Sequence, residues 1–308
     1  MSFLDESRAL YEKYGRELIH GSFPRYEGRI AAGLAGHGSQ CFGYDDEISR
    51  DHDFEPGFCL WLTDEDDAAI GDELRRAYGQ LPFEKAGKHS ALGDGSVGVQ
   101  RISDFYRRYT GSSGAPEELM QWLYLPSHAL AEAANGEVWR DDLGAFTKIR
   151  DEIKNGMPED VRLKKLAACA AAMAQSGQYN YSRCLKRGEQ GAAMLAADEF
   201  VRAAAQMIFL LNRRHMPYYK WLFRALGELE ILGDMREALE FLLTGDNDSA
   251  GQETKAGVIE DISAAVIREL RAQKLSRGSW DYLEPHAFEI TALIKNPELR
   301  SLHVMEGI

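Results

Sequence analysis

Residues 36–62, GHGSQCFGYDDEISRDHDFEPGFCLWL, decide how the first half of the chain is read. The stretch opens on a Gly-His-Gly-Ser turn, and the short apolar run 30–35 before it reads as a strand. Gly38 lets the backbone come close to a ligand. Ser39 adds a hydroxyl and the first amides of a following helical turn, a combination that can cradle a phosphate. Eleven residues separate Ser39 from Asp51, and 51–62 (DHDFEPGFCLWL) reads as a second strand in which Pro56 and Gly57 mark a bulge. On a strand, Asp51 and Asp53 project from one face and His52 from the other. Two neighbouring carboxylates repel unless a cation lies between them, and Mg²⁺ bound to phosphate oxygens supplies it. A metal held there can orient a triphosphate and stabilise the charge that develops as a nucleotidyl group is transferred. The acidic run Asp45, Asp46 and Glu47 reads as a solvated loop at the mouth of such a site.

Outward from this stretch, the two halves of the chain are punctuated differently. Residues 4–19 carry Leu4, Leu10, Tyr11, Tyr14 and Leu18 near helical spacing. Thr63 with Asp66 can cap a helix that runs to about Ala77, and 96–102 reads as a third, weaker strand. Five prolines fall at 24, 56, 82, 116 and 126, whereas between Pro158 and Pro285 only Pro217 occurs. A proline-poor stretch rich in Ala, Leu, Glu and Arg reads as successive helices. They are expected at 116–124, 126–135, 142–153, 159–175, 189–212, 217–229, 232–244, 252–273 and 284–294, with a polar loop over 244–252. In 195–211 the set Leu195, Phe200, Val201, Ala204, Ile208 and Leu211 reads as one buried stripe. Residues 135–141 (NGEVWRD) read as a turn-rich link. Glu137 and Asp141 there are either solvated turn residues or general bases for an acceptor hydroxyl.

Composition sets outer limits. The 308 residues carry a formal charge of −13, with 44% hydrophobic and 28% charged residues, an ordinary globular balance. The acidic total argues against a sequence-independent grip on nucleic acid, and favours a cationic or neutral acceptor. Cys41, Cys59, Cys169 and Cys184 match no zinc or Cys-x-x-Cys spacing, so reduced thiols and a cytoplasmic location are expected. Residues 1–18 lack an apolar core, so no signal peptide is expected, and no run is long enough to span a membrane. Neither a Walker A loop, a Rossmann fingerprint nor a nucleophile elbow occurs.

Two later segments stand out. Residues 177–183 (GQYNYSR) are unusually polar and aromatic for a helical region. They read either as an interhelical connection or as a wall where Tyr or Asn meets a base or sugar and Arg183 or Arg187 meets phosphate. Residues 211–221 end one helix at Pro217 and begin another. Arg213 and Arg214 suit a helix C-terminus there, and Lys220, among Tyr218, Tyr219 and Trp221, suits an anionic ligand.

The pattern Gly38-Ser39-x11-Asp51-His52-Asp53-Phe54 resembles the Gly-Ser…Asp-x-Asp signature of the nucleotidyltransferase superfamily, which includes polymerase-beta-like and antibiotic-modifying members. Together with GQYNYSRCLKRGE (177–189) and LLNRRHMPYYKW (210–221), the segment 37–62 is similar to the DUF4037 family of nucleotidyltransferase-type bacterial proteins, over most of 25–225. The resemblance implies an α+β fold: a minimal mixed sheet with flanking helices in 1–125, then an all-α domain in 126–308 closing over the cleft. It implies that Gly38 and Ser39 hold a nucleoside triphosphate such as ATP, and that Asp51 and Asp53 hold Mg²⁺. The nucleoside monophosphate would pass to an unidentified hydroxyl on a small molecule or protein. One feature departs from the pattern. Superfamily members commonly carry a third carboxylate on a later strand, and 96–102 (SVGVQRI) contains none. Asp94 precedes that strand and Asp104 follows it; Asp104 either completes the catalytic set or caps the next helix. Without a third carboxylate, the same fold would suit a nucleotide-binding sensor or partner-binding protein with weak or no turnover.

Overall fold

Four short strands form one sheet in the computed structural model, which describes residues 2–46, 57–82 and 97–308. They are β1 (Ala31–Leu34), β2 (Cys59–Leu62), β3 (Gly98–Arg101) and β4 (Glu137–Arg140), in the order β3-β2-β1-β4. β2 runs antiparallel to β1 and parallel to β3, and β4 runs antiparallel to β1. The fold is therefore α+β, a mixed sheet followed by a helical region.

β4 corrects the reading of 135–141 as a link. Leu34 pairs with Glu137 and Gly33 with Val138. Gly33 is what lets β4 approach: a Cβ there would stand 2.3 Å from the Glu137 carbonyl oxygen and 3.0 Å from Val138 Cα. A four-residue edge strand with no fully buried residue carries no legible alternation. The chain divides into two units, Met1–Glu117 with Leu125–Gly156, and Glu118–Tyr124 with Met157–Ile308. The sheet-bearing unit thus takes in β4 and the helix Ala145–Asn155, both beyond residue 125.

In the first unit the sheet is covered on both faces. Leu60 and Leu62 point to one side, where they join Tyr11, Ile19, Phe23, Ile70 and Leu74 in an apolar cluster. Trp61 points to the other, stacking on Phe146 with ring centroids 3.9 Å apart and meeting Phe105 edge-on at 5.7 Å. Tyr11 and Ile19 come from the uninterrupted helical stretch Phe3–Leu10, Tyr11–Gly15 and Arg16–Ser22, opened by a Ser2–Asp5 capping box. Thr63 caps its helix as expected: the Asp66 amide donates to Thr63 Oγ1 at 3.1 Å.

The second unit is helical. Every residue from Val161 to Met173 of the helix Glu159–Met173 is buried, against the helices Gln190–Leu211 and Leu283–Leu293. Its run of alanines suits a helix surrounded by neighbours. Lys165, buried with it, donates to the carbonyls of Leu123 at 2.6 Å and Gly307 at 3.1 Å, and desolvation pushes its pKa down to about 8. In Gln190–Leu211 the expected stripe holds for Phe200, Val201, Ala204, Ile208 and Leu211, but Leu195 is 73% exposed. Nine residues before Ala204, Leu195 lies half a turn away from it at 3.6 residues per turn. Among the described residues, no helix is long and apolar enough to cross a membrane.

The four cysteines are free, and Cys41, Cys59 and Cys169 are buried. Burial raises all three thiols, those of Cys59 and Cys169 to about 12, so the reactive thiolate is suppressed. Cys184 is partly exposed. A thiol-reactive dye is expected to label Cys184 alone in the native chain and all four cysteines after unfolding. Labelling of a second cysteine as fast as Cys184, read by peptide mapping, would contradict this burial.

Candidate functional site

The 36–39 turn begins where β1 ends, and its shape is specified by contacts from two other parts of the first unit. Gly36 and Gly38 have φ of 111° and 113°, conformations that L side chains rarely adopt. A Cβ on Gly36 would lie 2.6 Å from Tyr109 Oη, and one on Gly38 would lie 2.6 Å from Gln40 Oε1. Asn135 grips the turn with both ends of its amide: Gly36 N donates to Oδ1 and Nδ2 donates to Gly36 O, each at 2.8 Å. The His37 amide donates to Tyr109 Oη at 3.1 Å, and burial raises the Tyr109 phenol. His37 Nδ1 lies 3.4 Å from the buried Glu132 carboxylate. The Gly136 amide donates to Cys41 O at 2.9 Å, tying the end of the turn to the approach of β4. Ser39 is buried and opens the helical turn Ser39–Phe42, in which the Cys41 amide donates to Gly38 O at 3.3 Å.

Asn135 and Tyr109 are the residues that sequence reasoning missed. The Asn-Gly pair at 135–136 is legible as a turn, but nothing in its neighbourhood says that the amide side chain reaches a loop about a hundred residues earlier. Tyr109 lies in the helix Ile102–Thr110 and reads only as one of its aromatic residues.

Asp51 and Asp53, with His52 and Asp94, lie outside the described residues. β2 starts at Cys59, which pairs with Gly33 near the end of β1, so the first residue of β2 stands at the sheet end where the turn begins. Among the described residues, no three His, Cys, Asp or Glu side chains gather as a metal site.

Asp104 is not brought to that end. β3 is parallel to β2 and its last residue, Arg101, is level with Leu62, at the sheet end away from the turn. Asp104 is the third residue of the helix Ile102–Thr110, not its N-cap, which is Arg101. Its carboxylate accepts from Arg101 Nε and Arg107 Nη1, each at 2.7 Å. β3 itself (GVQR) holds no acid. Glu137, at the start of β4, accepts from Trp139 Nε1 at 3.0 Å, and Asp141 accepts at 2.7 Å from the Thr147 amide in the first turn of the helix Ala145–Asn155.

In the second unit, 177–183 is not an interhelical connection. The helix Glu159–Met173 continues through the π-helical segment Ala174–Tyr181 into Ser182–Lys186. Gly177 packs against Phe200, and the Gln178 amide clasps Glu260 and the Asp281 and Leu283 backbone. Both are structural. Arg183 stacks over the Tyr179 ring at 4.6 Å on the exposed side, and Arg187 is exposed just past the helix end. Lys220 is exposed in the short turn Tyr219–Trp221 beside the packed rings of Tyr218 and Tyr219. Arg213 has a structural use, its ion pair with Glu159 at 2.9 Å.

No curated protein matches the chain. One family does match, over residues 122–222, about a third of the chain; this stretch takes in β4 and the segments carrying Arg183, Arg187 and Lys220, but not the 36–39 turn or Asp51 and Asp53. In that stretch the protein is similar to the family described as Domain of unknown function (DUF4037).

Proposed function

We propose that the protein is a Mg²⁺-dependent nucleotidyltransferase of the cytoplasm, moving a nucleoside monophosphate from a triphosphate such as ATP to a hydroxyl. The observation that carries this reading is the 36–39 turn: two glycines at positive φ, anchored by Asn135 and Tyr109, at the sheet end where β2 begins. In this reading the amides and hydroxyl around Ser39 receive triphosphate oxygens. Asp51 and Asp53 hold the metal, which supplies charge neutralisation on those oxygens. Arg183, Arg187 and Lys220 are exposed cations of the helical unit, a residue type suited to an anionic ligand.

A second reading is a nucleotide-binding sensor on the same fold with little turnover. It is favoured by the acid-free β3 and by the commitment of Asp104 to two arginines.

The test is thermal unfolding with ATP, GTP, CTP and UTP, with and without Mg²⁺, followed by a pyrophosphate-release assay with a metabolite extract. A metal-dependent rise in Tm with at least one nucleotide is expected, and pyrophosphate release separates enzyme from sensor. No shift with any nucleotide and metal would sink both readings.

A further inference from the structure

A basin of about 540 Å³ opens on the first unit, lined by Arg75, Gln100, Arg101, Asp104, Arg107 and Arg108 together with Val99. Among the described residues, four guanidinium groups thus face one lining carboxylate, in a chain whose net charge is −13. Asp67 and Asp72 stand close by, so the carboxylates are shared. Asp104 serves Arg101 and Arg107, Asp67 serves Arg75 and stands 3.8 Å from Arg101, and Asp72 accepts from Arg75 at 3.2 Å. Arg108 reaches the Gln100 side chain and lies over the Phe105 ring.

The way these arginines are held matters more than their number. Arg101 engages Asp104 through Nε alone, and Arg107 engages it through Nη1 alone. Among the described residues, both Nη nitrogens of Arg101 and the Nη2 of Arg107 have no acceptor. The side chains of Arg75, Arg101 and Arg107 are 40%, 47% and 54% exposed, so a solute can reach them. Asp104 fixes two of the guanidinium groups relative to each other while leaving donors on each.

We propose that this basin binds a small molecule carrying two or more adjacent phosphate groups. Guanidinium forks pair bidentately with phosphate oxygens, and several adjacent forks need several acceptor oxygens carrying more than one negative charge. The volume falls within the usual range for small-ligand sites, roughly 300–1,000 Å³. A long polyanion is disfavoured, because the surrounding protein is acidic and nucleic acid needs an extended basic footprint. The proposal stands apart from the nucleotidyl-transfer reading, since none of its residues is in the 36–39 turn or in the Asp51–Asp53 pair.

The experiment is calorimetric titration of the full chain with sodium tripolyphosphate in EDTA at constant ionic strength, with citrate as a second arm. Saturable one-to-one binding is expected, with citrate weaker. The Arg101→Gln/Arg107→Gln variant should weaken tripolyphosphate at least about tenfold. In the unaltered chain, tripolyphosphate should slow phenylglyoxal modification of Arg101 and Arg107 but not of Arg202, which decides the matter even if the arginine variant fails to fold. The proposal is overturned by no saturation up to about 10 mM, by citrate binding as tightly, or by absence of arginine protection. It is equally overturned if a folded arginine variant binds normally, which would leave the basin an ion-pair network only.

Discussion

Gly136→Ala is expected to destabilise the first unit by about 3–5 kcal/mol, from left-handed backbone strain and overpacking together. Gly136 has φ of 68°, and a Cβ there would stand 2.0 Å from the Leu34 carbonyl oxygen and 2.8 Å from Ala35 Cα. Both obstacles are backbone, so no rotamer change relieves them. Gly136 is also held on both sides: its amide donates to Cys41 O at 2.9 Å and its carbonyl accepts from Arg150 Nη2 at 2.7 Å. Displacing it moves Asn135, and with it the amide that grips Gly36. Gly144→Ala is the control, because Gly144 also has φ of 68° but nothing lies within 4 Å of its Cβ position. That variant isolates the backbone term and should cost about 1–2 kcal/mol. Urea unfolding followed by tryptophan fluorescence compares the two. Equal losses would mean that β1 and the 135–136 turn are not in close contact.

Asp51→Asn and Asp53→Asn are each expected to reduce any Mg²⁺-dependent nucleotide turnover at least about a hundredfold, since even outer-shell partners of metal ligands can cost that much. An amide keeps the size of the carboxylate but not its charge, so it cannot neutralise the cation or hold it against water. Without metal, neither variant should lose stability, because removing one of two neighbouring negative charges relieves repulsion. The decisive measurement is the Mg²⁺-dependent nucleotide shift in Tm beside the metal-free Tm. If the shift survives both substitutions, the pair is not the metal site. If the metal-free Tm falls sharply instead, the pair serves the fold rather than a ligand.

Much of this molecule is readable from local spacing. The helix over 4–19 could be placed because its apolar residues recur at helical intervals. The Thr63–Asp66 cap was visible because capping is a contact three residues long. The long helices of the second half follow from the near-absence of proline and the excess of good helix formers. The 177–183 segment shows where such reasoning stops. Its polar residues look like a break in a helix. Instead Gly177 accommodates Phe200 of the next helix, and Gln178 ties down residues 260, 281 and 283. Each is a partner that the local pattern does not name.

The candidate site divides in the same way. By itself the sequence determined that glycines at 36 and 38 stand at the end of a strand and that an Asp-x-Asp pair follows, because residue type and short spacing express backbone freedom and charge directly. Only the tertiary structure decided that 137–140 is a strand, that Asn135 and Tyr109 hold the turn, and that the pairing of β3 with β2 carries Asp104 to the other end of the sheet; its ion pairs with Arg101 and Arg107, three residues away on either side, are local. Those outcomes depend on which segments meet across separations of forty to a hundred residues. Strand pairing and side-chain hydrogen bonds at that range are chosen by the packing of the whole unit, and no local window of sequence contains both partners.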